Sequence, residues 1–193
     1  MSAVRALAGA LLALLAPACA APRGPADWPQ QRAELARRVE VDQEARRALM
    51  SGGTIDMELA HRLEAIDADN TAWMKTLVAR HGWPTLAAVG PEASGNAWLL
   101  VQHADQDVAF QEHCLALLEA AVARGQAEKK HLAYLHDRVA MHRGRPQRYG
   151  TQFRQVDGKL EPYTLEDPAR VDEWRAEAGL GTLAEYRKVI EGL

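Results

Sequence analysis

Ala97-Trp98-Leu99-Leu100-Val101-Gln102-His103-Ala104-Asp105 is the stretch that decides the fold. Its first five residues are apolar right round a helical circumference, and a helix without a polar face belongs at the centre of a bundle. The block that follows is polar. Gln102, His103 and Asp105 therefore start from the interior, where polar groups need hydrogen-bond partners or a ligand.

Working outward, the flanking segments read as further helices. Pro91 suits the opening of the central helix, and Gly82-Trp83-Pro84-Thr85 is a loop. Before that loop, Ile55, Leu59, Leu63, Ile66, Asn70, Trp73 and Leu77 form one stripe at helical spacing, with Thr54 as the cap and Asn70 as the only polar member. A charged helix over about 29–50 precedes it and stops at Ser51-Gly52-Gly53. Downstream, Asp105 or Asp107 starts a helix with Phe110, Cys114, Leu115, Leu118, Ala121 and Val122 on its apolar face, and Gln111 projects from the middle of that face. A helix over roughly 128–142 buries Leu132, Leu135 and Val139, while a weaker arc of Ala133, Tyr134, Ala140 and Met141 encloses Asp137. Residues 151–156 and 159–165 flank Asp157-Gly158, the pair favoured in a two-residue hairpin turn. Asp167-Pro168 begins a short helix ending near Gly179, and Thr182 with Glu185 makes a capping box for the last one. The expected fold is mainly α: a single-domain helical bundle over 29–193, with one small β-hairpin near 151–165.

A chain of 193 residues with a net charge of −3 is long enough to bury one substantial core. Acids and bases are interspersed, so no basic stripe exists to engage a nucleic-acid backbone, and nucleic acid is discounted as a partner. At the N-terminus, Arg5 precedes an apolar run over 6–16 that is too short to span a bilayer and suits a secretory signal. Ala18-Cys19-Ala20 fits cleavage after Ala20, leaving a tether over 21–28 and an exported protein of the periplasm or cell envelope. Cys19 is the alternative point of lipid attachment, although Ala16 and Pro17 fit the lipoprotein pattern poorly. Nothing after Ala20 reads as a transmembrane span. Cys114 then remains the sole ordinary thiol, its place on an apolar face marks it as structural, and the core must hold the fold without an internal disulfide.

His103 is the natural candidate for a general base, because imidazole titrates near neutral pH and a carboxylate can fix its tautomer. Asp105 and Asp137 are the candidate carboxylates. Residues two apart on a helix project about 160° from each other, so His103 and Asp105 share a site only where the helix breaks. Asp137 needs a partner in its semi-apolar setting, and Arg138 points about 100° away, which leaves His103, Tyr149 or Arg148 as cross-chain candidates. Gln147, Tyr149, Thr151 and Gln152 bring donors and acceptors together at the entrance to the hairpin, serving either a ligand or the loop's own backbone. His61, His81, His113, His131, His136 and His142 add no zinc spacing and mostly face solvent, so no metal-ligand set is drawn. No serine-nucleophile elbow, phosphate-cradling loop or dinucleotide fingerprint is present, and no cofactor is expected.

The order Asn70, Gly82-Trp83-Pro84-Thr85, Val89-Gly90, the block from Ala97 to Asp105, Gln111, Ala133-Tyr134-Leu135, Asp137-Arg138-Val139 and Pro146-Gln147-x-Tyr149-Gly150-Thr151-Gln152 resembles the bacterial domain-of-unknown-function family numbered 6624, over about 67–165. The resemblance implies no activity or cofactor. Two readings stay open. In one, the helices converge on an interior pocket for a small polar ligand: His103, Asp105 and Asp137 supply acid/base chemistry, and Asn70, Gln102, Gln111, Arg138, Gln147, Tyr149, Thr151 and Gln152 bind. In the other, the same side chains form a closed network that specifies helix packing in a non-catalytic envelope protein.

Overall fold

The apolar segment 97–101 lies at the heart of the bundle in the computed structural model, which describes residues 28–51 and 56–192. Among these the order is α1 (Pro29–Ser51), α2 (Met57–His81), α3 (Leu86–Gln102), α4 (Val108–Ala123), α5 (Lys129–His142), β1 (Phe153–Val156), β2 (Lys159–Pro162), α6 (Val171–Glu177) and α7 (Leu183–Glu191). The fold is thus mainly helical with one two-stranded antiparallel hairpin. The signal segment, most of the tether, Cys19, Thr54 and Ile55 lie outside the described residues.

Central placement of α3 follows from what surrounds it, since it packs on α1, α2, α4 and α5. Ala97, Leu100 and Val101 are buried with Leu35 of α1, Met74 of α2, Leu118 of α4 and Leu135 of α5. Truncating any of these larger side chains to alanine costs about 2–5 kcal/mol. Gly90 takes φ 81° and breaks the regular backbone, so a first turn capped by Thr85 is followed by a straight run that starts at Pro91. At the other end the helix stops at Gln102 with His103 as C-cap, and α4 starts after Asp107, whose side chain accepts the Phe110 N–H at 3.0 Å. The helix does break between His103 and Asp105, yet the two still part, His103 towards Asp42 of α1 and Asp105 towards Arg138 of α5.

Two expectations shift. Asp56 caps α2 through the Glu58 and Leu59 amides, and the buried face of that helix is Leu63, Asn70, Met74, Leu77 and Val78, with Ile66 and Trp73 only half-buried. The α6 helix begins at Val171, because Asp167 first closes a turn onto the Ala169 amide. The hairpin turn is as expected: Asp157 and Gly158 both have positive φ, 49° and 77°, and Phe153 pairs with Pro162 through to Val156 with Lys159. Thr182 and Glu185 complete their reciprocal capping box. No helix among the described residues is long and apolar enough to cross a membrane.

Candidate functional site

The polar residues singled out in the sequence do not converge on one pocket. Asp105, Gln111, Arg138, Asp137, Gln147, Tyr149, Thr151 and Gln152 form one continuous network, whereas His103 and Asn70 lie in separate clusters against α1.

The network is built around Asp137, which is fully buried on α5. Its oxygens accept the backbone N–H groups of Arg148 (2.9 Å), Tyr149 (3.1 Å) and Thr151 (2.9 Å), and the Thr151 hydroxyl at 3.1 Å. Its partner is therefore the backbone of the loop, not His103. Gly150 makes the wrap possible: it has φ 63°, and a Cβ there would meet Leu183 Cδ1 at 2.8 Å. Gln147 fixes the same loop from inside, donating to the Gln152 and Tyr163 carbonyls at 2.9 and 3.0 Å and accepting the Gln152 N–H at 2.9 Å. Gln152 passes the network on, donating to Thr151 Oγ1 and accepting from Arg138 Nη1, each at 3.1 Å. Arg138 Nε donates to Asp105 Oδ1 at 3.0 Å, and Gln111 Nε2 joins it at 3.1 Å while also reaching the Val101 and Gln102 carbonyls at the end of α3. His142 Nε2 lies 3.1 Å from the same oxygen, so this histidine, expected in solvent, is engaged. His131 is engaged too, stacked 4.2 Å from the Trp98 ring, and His136 Nδ1 lies 3.3 Å from Asp137. Burial opposes the charge on Asp105, but Arg138, His142 and Gln111 hold its carboxyl below the usual range. The Gln102 and Gln111 Oε1 atoms are buried without partners among the described residues.

His103 faces the other way. Its Nδ1 lies 3.0 Å from Oδ1 of Asp42, a fully buried carboxylate at mid-length of α1. Gln43 Nε2 donates to the second oxygen of Asp42 at 2.8 Å, and the Arg46 guanidinium bridges Asp42 (3.3 Å) and Asp67 of α2 (2.6 Å). With Asp42 accepting the Nδ1 proton, Nε2 is the ring nitrogen left for another molecule. His103, Asp67, Thr71, Lys75 and Gln106 line a cavity of about 220 Å³, with Ala68, Ala72 and Ala104 as its apolar wall. Lys75 reaches across to Asp107. Burial works against ionisation of Asp42, yet the hydrogen bond and charge of His103, with Gln43 and Arg46, hold it down at about 2. The same burial pushes Asp67 up to about 6; Arg46 and His103 oppose this without cancelling it, and the neighbouring Asp42 adds to it. Two carboxyls sharing one guanidinium are thereby driven apart, one ionised throughout the ordinary carboxylate range and one that keeps its proton up to about pH 6.

Asp42, Asp67 and His103 also present ligand atoms within 4.8 Å of one another, a set absent from the sequence reading, which drew no metal ligands. Three such donors resemble a catalytic zinc set. Arg46, however, already places a positive charge against both carboxylates, and a cation at coordination distance would have to displace it. Acid/base chemistry fits the contacts as they stand.

Asn70 completes the picture at a third place, where its Oδ1 accepts from Arg38 Nη1 at 2.9 Å, beside an Arg38–Asp69 ion pair at 2.7 Å and the Trp73 ring. Cys114 is buried, and desolvation with the charge of Asp107 pushes its thiol up to about 12, as befits a structural residue.

Asp42, Arg46 and Asp67 are not among the residues expected from the sequence. A usable signal was present, since Arg38, Asp42 and Arg46 follow one another at i, i+4 spacing on the side of α1 that also carries Leu35 and Ala45. Charges on a buried stripe are as informative as Asn70 was on α2.

A helical bundle with a histidine–carboxylate cluster at a small cavity defines the class. The chain belongs to the family of unknown function DUF6624, whose family model matches residues 29–193, a span wider than the 67–165 over which the motifs alone carry the likeness. No curated protein and no solved structure matches the chain.

Proposed function

We propose that this protein binds a small polar molecule in the cavity beside His103 and transfers a proton to or from it. The observation that carries the reading is the buried Asp42 carboxylate on His103 Nδ1, in a place where His103 and Asp67 both line the cavity. Asp42 orients the ring, His103 acts as base through Nε2, and Asp67, with its raised pKa, acts as the proton donor. The acid/base role that the sequence suggested for Asp137 falls in this reading to Asp67, because the Asp137 oxygens are taken up by loop amides. A cavity of about 220 Å³ suits a compact metabolite and not an extended one, since drug-sized ligands occupy about 300–1,000 Å³. A thermal-shift screen of small hydroxy, oxo and amino acids tests the reading. At least one compound should raise the melting midpoint of the wild type and leave folded His103→Gln unmoved; equal shifts in both proteins, or none in the wild type, would overturn it.

The continuity of the Asp105–Arg138–Gln152–Thr151–Asp137 network favours a second reading for that half of the molecule, in which its polar residues specify packing alone. Export is part of the proposal and rests on Arg5 and the apolar run 6–16. Cell fractionation with intact-mass measurement should find the chain in the envelope, starting at Ala21, or lipidated at Cys19.

A further inference from the structure

The Gly82-Trp83-Pro84-Thr85 loop belongs to neither the network nor the His103 cavity, yet it borders a larger cavity of about 510 Å³. Trp28 and Trp83 line it with Leu117, and Arg80, His81 and Arg124 bring it three basic side chains. Among the described residues no carboxylate lines it. Among the described residues, none of the three basic groups lies within ion-pairing distance of an acid. Trp83 is 6% exposed, and its indole N–H is buried with no acceptor among those residues.

Helix termini account for part of this arrangement. Arg80 and His81 occupy the last turn of α2 and Arg124 caps the end of α4, where cations complement the helix dipoles. The magnitudes leave a surplus. Two C-termini carry together roughly one negative charge, against two guanidinium groups and a titratable imidazole, so the cavity stays cationic. Apolar aromatic walls and an excess of positive charge call for the same kind of guest.

We propose that this cavity is a binding site for a small organic anion, an apolar or aromatic body carrying a carboxylate. The body lies against Trp28, Trp83 and Leu117, and the carboxylate meets Arg80 and Arg124. The site is separate from the one at His103, because the helical rise places His81 about 20 Å along α2 from Asp67.

The probe is 4-phenylbutyrate, titrated into the full chain by calorimetry and by ligand-observed NMR, with 4-phenylbutan-1-ol and sodium acetate as partners lacking the charge or the body. Saturable submillimolar binding of the phenylbutyrate is expected, at least tenfold tighter than either control. The double variant Arg80→Gln, Arg124→Gln should weaken it at least tenfold with an unchanged circular-dichroism melt, Trp83→Phe should weaken it severalfold, and His103→Gln should leave it unaltered. Absence of saturable binding, equal affinity for the alcohol, or full affinity in the double arginine variant would overturn the proposal. A loss of binding in His103→Gln would instead assign the probe to the first cavity and overturn it as well.

Discussion

Asp137 and Asp42 are both fully buried carboxylates, one on α5 and one on α1, and they are satisfied in opposite ways. Asp137 is met chiefly by three backbone amides and a hydroxyl, which do not move without unfolding the loop, and the one titratable group beside it, His136 Nδ1 at 3.3 Å, is the longest of its contacts. Asp42 is met only by side chains, a histidine, an arginine and a glutamine, and two of its close neighbours, His103 and Asp67, line a cavity. Burial alone therefore does not mark a functional acid; the identity of the donors does. Backbone donors make an anchor, whereas titratable side-chain donors beside open space support the acid/base role proposed for the His103 cluster.

The sharpest way to break this contrast is to remove each carboxylate. Asp137→Ala leaves several buried amides without acceptors and should lower stability by about 3–5 kcal/mol in urea denaturation, releasing the 147–152 loop to fast amide exchange. Asp42→Asn keeps the volume and some hydrogen bonding, so a smaller loss of about 1–3 kcal/mol is expected. Its distinguishing effect is on His103, whose ring ¹⁵N shifts should show the Nδ1-protonated tautomer depleted. If the tautomer stays as it was, Asp42 does not orient the ring.

The acidity of the pair sharpens the contrast further. The depressed Asp42 stabilises the fold above the ordinary carboxylate range near pH 4, and that contribution is lost as the pH falls through about 2. The raised Asp67 works the other way: its protonated form favours the folded state, and that contribution is lost as the pH rises from about 4 through 6. Asp67→Asn should accordingly abolish the fall in stability between pH 4 and 7, read from denaturation midpoints across that range; an unchanged profile would show that Asp67 titrates normally. The smallest effect is expected at Cys114, where iodoacetamide should react only on unfolding, because the thiol is buried and its pKa is pushed up to about 12. Reaction in the native protein, followed by mass spectrometry, would show that this part of α4 opens.

Much of the fold was legible because helices announce themselves locally. The full apolar circumference of 97–101, the Pro91 start, the Asp157-Gly158 turn and the Thr182–Glu185 box each act within a few residues of their own position. The candidate site was half legible. Gln111, Asp137 and Gln152 stand out because each interrupts or borders an apolar face, and the chain does join them. Asp42 and Asp67 sit in strongly charged helices, where one more acid carries little contrast, and only the approach of α1 to α2 and the end of α3 buries them.

By itself, then, the order of residues determined which segments become helices, which faces turn inward and which polar groups would have to find partners there. Partner choice belonged to the tertiary structure. It sent Asp137 to the loop amides and His103 to Asp42, because a hydrogen bond is decided within about 3 Å, and such distances between remote segments exist only once the helices have packed.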